Sequence, residues 1–139
     1  MAKARYILDT QVGYLLRLAS QRHAAIFQAR ALDGLTAQQF AALVRIGEAG
    51  QVSQNRLGRL AAMDVATIKG VVDRLRQKGL TLSRPDPEDK RRMLISLSEE
   101  GAAMLDRMTA VGREITGETL APLTAEEQRT LLTLLQKLT

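Results

Sequence analysis

There is no cysteine in this chain of 139 residues, so disulfide frameworks, thiolate zinc sites, catalytic cysteines and thiol-based redox sensing are excluded. Its single histidine, His23, leaves no histidine metal cluster and no serine–histidine triad to be built. Tryptophan is absent, and two Tyr with two Phe are the whole aromatic content, so the core must come from Leu, Ala, Val and Ile. Only three prolines interrupt the chain, which favours helices. No apolar run is long enough for a membrane span. The stretch Met1–Thr10 lacks the apolar segment and cleavage site of a secretory leader, so a cytoplasmic protein is expected. There is no phosphate-cradling glycine loop and no nucleophile–base pair, which argues against an enzyme and implies neither cofactor nor metal.

What is present suits one compact unit with a real core, since 45% of residues are hydrophobic. The net charge is +5, and its distribution carries more information than its size. Ser53 to Arg92 holds ten basic residues against five acidic ones, whereas the rest of the chain is balanced at ten against ten. The whole excess falls in one central segment, and binding a phosphate backbone needs such a concentrated field.

Apolar spacings of three and four define a long first helix, Leu8 to about Arg30, with Leu8, Val12, Leu15, Leu16, Ala19, His23, Ile26 and Phe27 on one stripe. Leu32 to Leu35 breaks it. Thr36 caps a second helix with Phe40, Leu43, Val44 and Ile46 inward, and Ser53 caps a short third helix, Gln54 to Ala62, with Leu57, Leu60 and Ala61 inward. After a turn at Met63-Asp64, Asp64 caps a fourth helix, Val65 to Lys78, with Ile68, Val71, Val72 and Leu75 inward and Gly79 as its left-handed stop. Two strands, 80–84 and 93–97, flank a charged turn, 85–91. A fifth helix runs from Ser98 to about Leu120. Thr124 with Glu127 forms a capping box for a leucine-rich sixth.

Two helices joined by a tight turn and followed at once by a charged hairpin make a mainly α fold with a small β-hairpin wing, a winged helix-turn-helix. The fourth helix has the diameter to enter a major groove, with the third braced against the backbone. Its first turn offers Val65, Ala66, Thr67 and Lys69. Ala66 is small enough for close approach, and Thr67 can bond a base or meet a thymine methyl. Gln54, Arg56, Lys69 and Arg74 fall where phosphates would pass. Lys90, Arg91 and Arg92 at the hairpin tip would reach a flanking minor groove. Taken singly, Arg74, Arg76 and Lys78 have the plainer reading of a solvated helix face, and Lys90 to Arg92 that of a surface turn. Asp86, Glu88 and Asp89 are too closely matched by bases to suggest a calcium loop. The competing reading of the whole chain is a helical protein-interaction module that binds no DNA.

Residues 64–101 resemble the core signature of MarR-type transcriptional regulators. The likeness rests on Asp73-Arg74-Leu75, Lys78-Gly79-Leu80, Arg84, Asp86-Pro87, Asp89-Lys90-Arg91, Leu97-Ser98 and Gly101, and the flanking helices match in number and length. It implies an intertwined homodimer in which 1–35 and 98–139 form a helical dimerisation region and 36–97 the DNA-binding region. The duplex would be a pseudo-palindromic operator with half-sites roughly 34–36 Å apart. It implies that Asp89 and Arg91 pair to hold the wing, while Lys90, more usually Arg, enters the minor groove, with Arg92 a substitute. Lys69-Gly70 stands where Thr-Arg is common, which moves base reading to Thr67 and Lys69. Arg84 belongs to the same DNA-binding set.

The resemblance also implies a repressor released by a small anionic, often aromatic, effector. Tyr14, Arg17, His23, Phe27 and Phe40 are candidate ligand residues. For His23 two readings stand open, a partner for a ligand carboxylate and a buried structural histidine. Arg17 equally suits an exposed or acid-paired position. The stretch from Val12 to Phe27 is similar to that of regulators of aromatic-acid catabolism, which favours an aromatic acid or its coenzyme A thioester.

Overall fold

In the computed structural model, residues 3–139 are described; Met1 and Ala2, where the leader and dimerisation readings begin, lie outside the described residues. Among the described residues six α-helices, α1 (Val12–Arg30), α2 (Ala37–Ala49), α3 (Gln54–Leu60), α4 (Val65–Gln77), α5 (Glu99–Leu120) and α6 (Ala125–Lys137), accompany three strands. The strands are β1 (Val52–Ser53), β2 (Thr81–Pro85) and β3 (Met93–Leu97). The chain divides into two compact units, Ala31–Val111, and the residues up to Arg30 together with Gly112–Thr139.

In the unit Ala31–Val111, short polar side chains start each helix by accepting an orphan amide. Thr36 forms a reciprocal capping box with Gln39, Ser53 accepts from the Arg56 amide, and Asp64 accepts from that of Thr67. The apolar faces so aligned meet in one core. Leu43, Ile46, Leu57, Ile68, Leu75 and Ile95 are almost wholly buried, and truncating such a leucine to alanine costs about 2–5 kcal/mol. All four expected inward positions of α4, Ile68, Val71, Val72 and Leu75, are buried. On α2, Ala42 joins Leu43 and Ile46, while Phe40 and Val44 are half-buried; on α3 only Leu57 and Gly58 are buried and Leu60 faces out. The third helix ends at Leu60 because Ala62 takes a left-handed conformation, φ 55°, in the turn before Asp64.

A strand not anticipated from the sequence, β1, completes the sheet in the order β1-β3-β2. It is antiparallel to β3, with Val52 opposite Ile95, and β2 pairs with β3 from Thr81 opposite Leu97 to Pro85 opposite Met93. The expected hairpin is present, although β2 begins at Thr81: Leu80 instead completes the stop of α4. Gly79 has φ 75°, and the Leu80 amide reaches back to the Leu75 carbonyl at 3.0 Å, the closing bond of a Schellman ending.

Ser98 fastens this corner by donating its hydroxyl to the Gly79 carbonyl at 2.6 Å and accepting from the Gly101 amide at 3.0 Å. Gly101 packs so closely that a Cβ there would stand 1.9 Å from the Leu80 carbonyl oxygen. The first turns of α5 therefore belong to the compact unit Ala31–Val111.

In the other unit, Leu8–Thr10 forms a 3-10 turn and α1 begins only at Val12. The Thr10 hydroxyl and the Gln11 side-chain amide both donate to the Ile7 carbonyl at 3.1 Å, a local competitor to helix continuation. Within this unit α1 buries Phe27 alone. His23 and Ile26 are half-buried, whereas Leu8, Val12, Leu15, Leu16 and Ala19 are exposed. Arg22 donates to the Thr119 and Glu118 carbonyls at 2.6 and 3.0 Å, satisfying the end of α5, and Arg30 pairs with Glu118 and Glu114. Ile115 and Leu120 are buried, and α6 opens with the expected Thr124–Glu127 capping box yet buries none of its leucines. No helix among the described residues is long and apolar enough to cross a membrane.

Candidate nucleic-acid interface

The turn from α3 into α4 brings the candidate reading residues to one helix end. Asp64 Oδ1 lies 2.7 Å from the Thr67 nitrogen. The Thr67 amide, and then its hydroxyl, hold the Asp64 carboxyl below the usual carboxylate range. Ala66 and Lys69 are exposed and Thr67 is half-buried, so the first turn presents a shallow surface. A Cβ at Gly70 would meet nothing within 4 Å, which leaves the strip beside Lys69 open.

Charge along this face is unevenly committed. Asp73 accepts from Lys69 and Arg76, both at 3.2 Å. Such exposed pairs on a helix contribute about 0.2–0.5 kcal/mol, so a phosphate can displace them. Arg74 and Arg56 are exposed and Gln54 is half-buried. Arg84 donates to Gln51 Oε1 at 2.7 Å, which holds its guanidinium beside the strand that β1 adds to the sheet.

The wing is more ordered than a charged turn need be. Asp89 Oδ1 accepts from both the backbone nitrogen and Nε of Arg91, at 3.1 and 3.2 Å, so the expected pair is formed. Lys90 between them is exposed. Arg92, expected at the tip, is instead bound at its base by Asp86, with Nη2 and Nε at 2.8 and 3.2 Å from Oδ2. Asp86 was not singled out by sequence reasoning as a wing residue. Its signal was the Asp-Pro-Glu order, which suits an Asx-type turn: the Glu88 amide donates to Asp86 Oδ1 at 2.9 Å.

The candidate effector residues divide between the units. Tyr14, Arg17, His23 and Phe27 lie on α1, and Phe40 on α2. The Arg17 guanidinium stands 5.5 Å from the Tyr14 ring centroid, a cation–π contact. His23 Nδ1 and Thr119 Oγ1 share a 2.8 Å hydrogen bond, so the histidine has a structural partner within its own unit.

The MarR family model matches residues 35–93, from two residues before α2 to the first of β3. Over 134 residues the chain is 43% identical to the HTH-type transcriptional repressor NicR of Pseudomonas putida, spanning 96% of this chain and 85% of that protein. The structure of Bordetella bronchiseptica BpsR, concerned with regulation of its DNA binding by 6-hydroxynicotinic acid, matches with a TM-score of 0.92 at 37% identity over 97% of each chain. A cysteine-to-serine mutant of Escherichia coli MarR complexed with operator DNA matches with a TM-score of 0.84 at 32% identity, over 91% of this chain and 92% of that one. The segment that the family model matches takes in the helix-turn-helix and the wing as far as the start of β3, and the likenesses to these relatives span nearly the whole length, so the chain belongs to the MarR family.

Proposed function

We propose that the protein is a sequence-specific transcriptional repressor that grips duplex DNA through α4 and the β2–β3 wing and is released by an aromatic acid. The observation that carries the first part is the start of α4, where Ala66 and Lys69 are exposed and Thr67 half-buried beside the open strip at Gly70. The operator complex of the related E. coli protein supports it. With its amide committed to Asp64, Thr67 offers a base its hydroxyl and a methyl group. Lys69 exchanges Asp73 for phosphate or a guanine edge. Gln54, Arg56, Arg74 and Arg84 bind the backbone, while Lys90 and Arg91 enter the minor groove. Arg92 serves the wing rather than the duplex.

The working unit is a homodimer. Val12, Leu15, Leu16 and Leu18 on α1 and Leu132, Leu134 and Leu138 at and beyond α6 are exposed in the single chain, apolar side chains that an interface would bury. A second copy covers it and supplies the second half-site reader. Selection of bound fragments from genomic DNA tests this reading: recovered sites should have two-fold symmetry with half-sites about one helical turn apart. Recovery of no enriched sequence would refute it.

The effector is an aromatic carboxylic acid or its coenzyme A thioester, supported by the 6-hydroxynicotinic acid response of the related Bordetella regulator. Tyr14, Arg17, His23, Phe27 and Phe40 are its candidate contacts. Titrating 6-hydroxynicotinic acid and, separately, an aromatic acyl-coenzyme A into the protein–operator complex distinguishes the two. Release by neither removes this class of effector.

A further inference from the structure

The loop between β2 and β3 carries Asp86, Glu88 and Asp89 against Lys90, Arg91 and Arg92, a composition that suits a solvated turn. Its fold is more specific. Asp86 is only 6% exposed and is the one buried acidic residue among the described residues. Both carboxylate oxygens are used: Oδ1 accepts from the Glu88 amide at 2.9 Å, and Oδ2 from Nη2 and Nε of Arg92 at 2.8 and 3.2 Å. The main chain closes the same ring, with the Asp86 amide donating to the Arg92 carbonyl at 2.8 Å and the Arg92 amide to the Asp89 carbonyl at 2.9 Å.

The place of this ring in the hairpin gives it a task. Asp86 directly follows Pro85 and Arg92 directly precedes Met93, and Pro85 and Met93 are the last cross-strand pair of β2 and β3. The ring is one further rung beyond the ladder. Lys90 and Arg91 are carried on the loop that it closes, and the Arg91 side chain stands 92% exposed. A buried carboxylate tolerates its desolvation only when paired and hydrogen-bonded, so losing either partner opens the rung.

We infer that Asp86 and Arg92 are positioning residues of the DNA-binding wing, a pair that closes the hairpin and thereby fixes where Lys90 and Arg91 meet the duplex. This rests on the wing contacting DNA as proposed above. Arg92 acts through Asp86 and makes no phosphate contact of its own. The sign of one substitution separates this role from plain electrostatics. An acid in a DNA-facing loop repels phosphates, so replacing it with its neutral isostere should tighten binding if charge alone mattered. A positioning acid behaves in the opposite way. Arg92→Lys retains the charge but not the two-nitrogen fork that Asp86 Oδ2 accepts from.

The test uses the full-length protein and a selected operator duplex, with affinity measured across a salt series and melting followed for each variant. Asp86→Asn is expected to weaken binding about tenfold, close to the loss from Lys90→Ala. Arg92→Lys should resemble Arg92→Ala, and adding Lys90→Ala to Asp86→Asn should cost less than the sum of the two. Unchanged or tighter binding by Asp86→Asn overturns the inference. Wild-type affinity of Arg92→Lys beside a weak Arg92→Ala also overturns it, because charge alone would then suffice. If Lys90→Ala and Arg91→Ala both leave affinity and salt slope untouched, the wing reading itself fails and the pair has nothing to position.

Discussion

The Asp64 carboxylate lies 2.7 Å from the backbone nitrogen of Thr67, so the residue that starts α4 also sets the turn that presents Thr67. Helix initiation and the proposed base reading therefore share one contact. Asp64→Ala should lower the melting midpoint by a few degrees, whereas Asp64→Ser should retain most of it, because serine also caps. Operator affinity should fall in the same order. Equal melting of both variants with the parent would remove Asp64 from helix capping.

Base and backbone contacts divide into separable phenotypes. Thr67→Val should cost about 1–3 kcal/mol and change preference at a single base position. Lys90→Ala should weaken all sites alike and reduce the salt slope by about one unit. Binding-site selection with each variant reads the difference. Trivial changes in both would mean that another face reads the DNA.

Gly101 is a packing requirement. With the Leu80 carbonyl oxygen 1.9 Å from where a Cβ would sit, Gly101→Ala must move backbone. It should destabilise the winged unit by at least the usual overpacking cost of about 1–3 kcal/mol, read by urea unfolding. An unchanged unfolding midpoint would contradict this close approach.

Three carboxyls are held below their ordinary range by hydrogen bonds: Asp64 by the Thr67 amide and hydroxyl, Glu127 by the amide and hydroxyl of Thr124, and Asp86 by the Glu88 amide and then Arg92. A depressed folded-state value adds stability above the unfolded value of about 3.9–4.3 and loses it as pH falls through the folded value. Their contribution should be constant from about pH 8 to 5.5 and decline below about 4. Asp86→Asn should flatten that decline in melts taken from neutral to acid pH. Superimposable profiles would show that Asp86 does not sense folding.

Local signals made much of this structure legible. Thr36 with Gln39, Thr124 with Glu127, Ser53, Asp64 and Gly79 act within a few residues of where they stand, and each marks an end that spacing alone can locate. The inward face of α4 was legible for the same reason. What escaped depends on distant partners. Val52–Ser53 is a strand only because β3 arrives some forty residues later. Arg92 is held at the base of the loop because Asp86 reaches it across six residues. Leu15 and Leu16 read as core by periodicity, yet their own chain leaves them exposed, since the surface that covers them in the proposed dimer belongs to another copy. In the candidate site, residue types were legible along α4 and at the wing tip, but the division between contacting and positioning bases depends on how the loop folds back on Asp86.

The central claim is that residues 53–97 grip duplex DNA through phosphate contacts, and the most direct measurement is binding of a labelled duplex across a salt series. With roughly 6–10 phosphates engaged, affinity should fall log-linearly by about 10³–10⁵ between about 50 and 200 mM salt. Binding at low salt that is lost along that line supports the account; no binding at any salt, or affinity indifferent to salt, contradicts it.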